Sequence, residues 1–151
     1  MWKIWIAFVA VALVSAPAAA SDKTDAMATV RQSVQAFNKG DVKAYAATCA
    51  EETSIIDEFP PHEWHGAGAC SKWMNDYLAD ARKNGMTEGK VILGTPLHVD
   101  VTGNRAYIVV PTSFTFKQKG KQVRETGSTL TVVLQKGAAG WRILAWAWTK
   151  H

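Results

Sequence analysis

Ile55-Ile56-Asp57-Glu58-Phe59-Pro60-Pro61-His62-Glu63-Trp64-His65-Gly66 gathers acids, histidines and aromatics between a helical half and a strand-rich half of the chain. Two consecutive prolines fix φ and remove two backbone donors, and the residue before each is pushed towards extended geometry. Phe59 to Pro61 is therefore a stiff loop, neither helix nor central strand. Asp57 precedes it, directly after two β-branched isoleucines, so it reads as a carboxylate at the end of a short strand. Apolar neighbours at such a place disfavour the charged form and lift the pKa, which suits a general base. A turn-capping carboxylate is the plainer reading of the same residue.

Upstream, Met1-Trp2-Lys3 is followed by the apolar run Ile4 to Val14 and then Ser15-Ala16-Pro17-Ala18-Ala19-Ala20. That is the pattern of a secretory leader cleaved after Ala20. The apolar run is shorter than the roughly 20 residues a spanning helix needs, and no later segment approaches that length. The expectation is a periplasmic or secreted protein with no membrane span after leader removal, made of one domain over residues 21–151. Lys3 is the leader's charged residue, so the formal charge falls from +4 to +3 on the mature chain. The basic residues are scattered, and the densest group, Lys117-Gln118-Lys119-Gly120-Lys121, has the spacing of a solvated hairpin rather than a nucleic-acid site.

Cys49 and Cys70 are the only cysteines. In an oxidising compartment an even count favours a bridge, worth about 3 kcal/mol for a loop of this length, over two thiols packed as small apolar groups. Ala26, Val30, Val34 and Phe37 recur near helical period, which predicts a first helix over Asp25 to Lys39 stopped by Gly40. Asp41 has the place of an N-cap for a second helix from Val42 to about Ala50. A brief strand from Thr53 to Ile56 then delivers Asp57. Gly66 to Ala69 opens a third helix whose stripe of Cys70, Trp73, Met74, Tyr77, Leu78 and Ala81 reads as core.

The remainder predicts strands over Lys90 to Val101, Arg105 to Lys117, Gln122 to Lys136 and Trp141 to Lys150, with glycine in each turn. Alternation sets Ile108, Val110, Thr112, Phe114 and Phe116 against Tyr107 and Val109, and sets Trp146 and Trp148 against Ala145 and Ala147. Gly127 and Pro111 fit bulges that would bend the sheet. The fold class is α+β: a cone-shaped, strongly bent antiparallel sheet covered by three N-terminal helices, with room for a cavity beneath it.

The string Ala36-Phe37-Asn38-Lys39-Gly40-Asp41, then Ala50-Glu51-Glu52-Thr53 leading to Ile55-Ile56-Asp57, and the closing Gly140-Trp141-Arg142-Ile143 resemble the nuclear transport factor 2-like superfamily. The resemblance covers nearly the whole mature chain. It implies the cystatin-like cone of a group that includes ketosteroid isomerases, SnoaL-like cyclases and dehydratases. It puts Asp57 at the proton-shuttling aspartate of the isomerases. Their carbonyl-polarising tyrosine falls on Ser33, and their protonated aspartate near Thr131, so the electrophilic half of that machinery is missing.

His62-Glu63-Trp64-His65 lacks the helical spacing of a metalloprotease box, so no metal is expected, and no nucleotide or phosphate motif implies a cofactor. The functional expectation is binding of a small, largely apolar molecule in the cone, with Trp64, His98, Tyr107 and Trp148 as contact residues. The alternative is isomerase, cyclase or dehydratase chemistry with Asp57 as base. A homodimer through an exposed face carrying Trp146 and Trp148 is a third expectation.

Overall fold

The computed structural model describes residues 16–151. The apolar run from Ile4 to Val14, read above as a leader, lies outside the described residues. Helix α1 (Ala16–Lys39) begins before the predicted Asp25 and runs unbroken through Ala20. Its buried stripe is Ala26, Met27, Val30, Ser33, Ala36 and Phe37. Gly40 stops it at φ 69°, with Gly40 N donating to Phe37 O and Asp41 N to Ala36 O. This is a Schellman ending, in which the left-handed position favours glycine. Asp41 then caps helix α2 (Val42–Ala47) by accepting from Ala44 N at 2.9 Å.

Helix α2 is shorter than expected. Thr48 ends it, and Cys49 already belongs to strand β1 (Cys49–Ile56). A second strand that proline and histidine content concealed, β2 (Glu63–Ala67), folds back antiparallel on β1, pairing Ile55 with Trp64. Helix α3 (Ala69–Lys83) follows, and Cys70 in its first turn is disulfide-bonded to Cys49. The bridge therefore ties the start of a strand, not the end of a helix, to α3.

The predicted strand from Lys90 to Val101 is two strands, β3 (Met86–Leu93) and β4 (His98–Thr102), both paired with the long strand β5 (Arg105–Gln118). Pro111 sits at the break between them: Gly94 N donates to Pro111 O and Leu97 N to Val109 O. Its missing N–H costs nothing there, because that side of β5 has no ladder partner at Pro111. Strand β6 (Lys121–Gly137) pairs regularly with Pro111, so the bulge expected at this proline is absent. The one expected at Gly127 is present, at φ 84° and opposite the Thr112–Ser113 step.

Strand β7 (Gly140–Thr149) completes the sheet, in the order β2-β1-β7-β6-β5-β3. Strands β4 to β7 pair antiparallel in chain order, as the short glycine-containing turns suggested, and the parallel β1–β7 pair adds β1 and β2 to their edge. A second bulge inserts Leu144: Leu134 pairs with Ile143 and Val133 with Ala145. One extra residue reverses the parity of every side chain beyond it. Trp141 and Ile143 are buried before the bulge and Trp146 after it, all on the concave face. The exposed Trp146–Trp148 face proposed as a dimer surface does not exist in this form, since Trp146 is buried and Trp148 packs against the core.

Asn38 fastens the end of α1 to β3. Its side chain donates to Val91 O at 2.9 Å and accepts from Val91 N at 2.8 Å, as a strand neighbour would. No helix among the described residues is long and apolar enough to cross a membrane.

Candidate functional site

Between the helices and the concave face lies a cavity of about 420 Å3, within the size range of small-molecule sites. Its walls follow from the alternation. Strands β5 and β6 send in Phe114, Phe116, Leu130 and Val132, α1 gives Val34 and Phe37, and the bulged β7 gives Ile143, Trp146 and Trp148. Helix α3 places Trp73 and Tyr77 one turn apart on its inner side. Their rings stack at 6.0 Å, with Phe37 against Tyr77 at 4.8 Å and Trp146 edge-on to Trp73 at 4.8 Å.

Asp57 looks into this space from the end of β1. The loop after it turns back sharply: the Pro60–Pro61 peptide is cis, and Asp57 N donates to His62 O at 3.0 Å. That turn folds Phe59 inward over Trp64, with ring centroids 5.0 Å apart, and makes it part of the cavity wall. Asp57 Oδ2 accepts from Trp73 Nε1 at 2.8 Å, and Oδ1 from Glu58 N at 2.6 Å. Burial lifts the carboxyl to about 6, against the opposing pull of these two donors. A carboxylate so placed gains and loses a proton near neutrality.

Two phenols share the space. Burial, and after it the Asp57 charge, hold the Tyr45 hydroxyl protonated well above its ordinary range, and the same causes with Asp80 push Tyr77 up to about 12. Among the described residues Trp146 Nε1 is buried without a hydrogen-bond partner in good geometry, although the Tyr45 hydroxyl is near enough to interact with it. A buried donor left unpaired costs free energy, and an acceptor atom on a bound molecule would recover it. At the mouth Lys150 bridges Glu58 at 3.0 Å and Glu125 at 3.2 Å, contacts that raise its pKa.

The expected contact residues divide. Trp148 lines the same cavity as Asp57. Trp64 does not reach it: it is buried behind Phe59, donating to Asp76 Oδ2 at 2.8 Å, and so stiffens the wall. His98 and Tyr107 lie on the opposite, solvent-facing side of the sheet, Tyr107 46% exposed. The parity of β5 had already opposed Tyr107 to the inward set. Tyr45, Phe59, Trp73, Tyr77 and Trp146 were not anticipated as lining residues; the i, i+4 spacing of Trp73 and Tyr77 on one helix face was the available signal. Ser33 lines the cavity, but its hydroxyl donates to Val30 O at 2.8 Å, and Thr131 sits between the inward Leu130 and Val132 on the other face. No group of three metal-ligating side chains occurs among the described residues.

The family model for the SnoaL-like domain matches residues 26–147, a span that supplies all of the cavity lining except Trp148 and Lys150. The chain belongs to the SnoaL-like family. This SnoaL-like domain is similar in structure to a nuclear transport factor 2-like protein with a cystatin-like fold from Novosphingobium aromaticivorans, at TM-score 0.72 and 15% identity over 87% of this chain and 82% of that one. It is also similar to a nuclear transport factor 2-like superfamily protein from Salmonella enterica serovar Typhimurium (0.73, 18%, 87% and 92%). A ketosteroid isomerase-like protein from Erwinia carotovora gives 0.67 and 16%, over 85% and 95%. Identities this low establish the shared cone and nothing finer. No curated protein matches the sequence.

Proposed function

We propose that this SnoaL-like domain is an exported receptor for a small, largely apolar molecule, held in the cone without turnover. The observation that carries the reading is the cavity itself: about 420 Å3, walled mainly by aromatic and aliphatic side chains, with charged groups including Asp57 among them. The Cys49–Cys70 bridge is compatible with an oxidising compartment and so supports export. Thermal unfolding with 2-naphthol as probe tests the binding. A ligand that binds only the folded state raises Tm by mass action, so the wild-type midpoint should climb with probe concentration. A Leu130→Trp protein, its cavity filled, should show no such climb. Equal behaviour of the two proteins would remove the reading.

Asp57 supports a second reading, general-base chemistry next to a carbonyl, because its pKa of about 6 suits proton transfer near neutrality. The arrangement at Ser33 and Thr131 weighs against the isomerase form of that chemistry, since neither aims a donor at a developing oxyanion. An Asp57→Asn protein that converts a ketone substrate as fast as wild type would dispose of the base.

A further inference from the structure

The charged groups around the cavity are unevenly distributed. Among the described residues Asp57, Glu58, Asp80 and Glu125 line it, against the single ammonium of Lys150. That ammonium already contacts Glu58 and Glu125, so it is not free to receive an anion. The whole chain carries a formal charge of +4, so an acidic opening runs against its composition. Of the four acids Asp57 is the one held by an aromatic residue, Trp73 of α3; Phe59 from the loop and Tyr77 from α3 pack beside that indole, and Trp148 from β7 lines the same cavity. Trp73 lies within 6.4 Å of Phe59 and 6.0 Å of Tyr77, measured between centroids.

A neutral apolar ligand needs none of these carboxylates, and an anion would be repelled by them. A cation is attracted by the Asp57 charge in partly desolvated surroundings, and an aromatic-walled cavity offers it ring faces as well, although Trp73 turns its N–H edge to the carboxylate itself. The anionic form of Asp57 is held in readiness for it by the Trp73 and Glu58 N–H groups.

We propose that the cavity's ligand is an organic cation, an amine or quaternary ammonium carried on an apolar body, with its charge seated at Asp57 among the rings of Phe59, Trp73 and Trp148. This rests on the receptor reading above and narrows its ligand class. The apolar body occupies the deeper space between Phe114, Leu130, Val132 and Ile143.

The test uses two molecules of one shape that differ in charge, (4-hydroxyphenyl)trimethylammonium and 4-tert-butylphenol, titrated calorimetrically into the wild-type protein at pH 8 and low salt. The cation should bind about tenfold more tightly or better. Asp57→Asn should cost the cation about tenfold more than it costs the neutral molecule. Equal binding of the two, or a preference for 4-tert-butylphenol, overturns the cation and leaves the receptor reading standing. Absence of binding by either up to millimolar concentration overturns both. A cation preference that survives Asp57→Asn unchanged removes Asp57 as the seat. The wild-type comparison needs no variant to fold, so a poorly folded Asp57→Asn protein does not rescue the proposal.

Discussion

Trp73 donates its indole N–H to Asp57 Oδ2 at 2.8 Å, joining the inner side of α3 to the end of β1 within the cavity wall. Burial sets the cost of keeping a carboxylate there, and the Trp73 N–H reduces it. In the unfolded chain Asp57 titrates at its ordinary 3.8, and in the folded protein at about 6. The folded state therefore holds the proton more tightly, and the stability this supplies is full below about pH 4 and lost as pH rises through 6. Urea unfolding from pH 4 to pH 7 should lose about 2 kcal/mol through this group. In Asp57→Asn that component of the slope should vanish; superimposable pH profiles for the two proteins would refute the assignment.

Trp73→Phe keeps the ring and deletes the donor. Because the indole N–H favours the anion, its loss should move the Asp57 carboxyl above 6. A carbon-detected NMR titration of the side-chain carboxyl reads this directly. A value unchanged or lowered would mean that the indole does not stabilise the charge.

Gly89 lies in an irregular step of β3, where a Cβ would collide with Tyr77 Oη and meet the Phe114 ring at 3.2 Å. Gly89→Ala should therefore cost about 1–3 kcal/mol through overpacking. Tyr77→Phe removes the atom in the way, so the double variant should recover part of the loss in a thermodynamic cycle. Strict additivity of the two single effects would contradict the crowding.

The Cys49–Cys70 bridge spans a sequence separation of 21. The Cys49→Ser/Cys70→Ser protein should be less stable by about 3 kcal/mol, chiefly through a less constrained unfolded chain. Chemical unfolding with and without dithiothreitol gives the check: reductant should lower the wild-type midpoint and leave the double variant unaffected.

Much of the cone was legible because its signals are local. Gly40 and Asp41 mark the break between α1 and α2, the inward set of β5 follows strict alternation from Ile108 to Phe116, and Gly127 marks a real bulge. What stayed hidden depends on events of one residue. Leu144 has no composition that announces a bulge, yet it reverses the parity of Trp146 and Trp148 and so moves two indoles from a presumed surface to the concave face. The strand β2 was masked by the two prolines just ahead of it and by its own short, glycine-containing sequence, because its pairing with β1 is made by tertiary contact rather than propensity. Asp57 could be placed at a strand end from its neighbours. Its partner Trp73, 16 residues away, could not, since nothing in the spacing fixes how α3 lies over the sheet.

The central claim is that a small molecule enters beneath the bent sheet and meets Asp57. Proton–nitrogen NMR of the indole N–H signals during a 2-naphthol titration tests it most directly, because Trp73, Trp146 and Trp148 line the cavity while Trp64 and Trp141 do not. The first three signals should shift saturably and together, with those of Trp64 and Trp141 nearly still. No shift at millimolar probe, or shifts confined to Trp64 and Trp141, would contradict it.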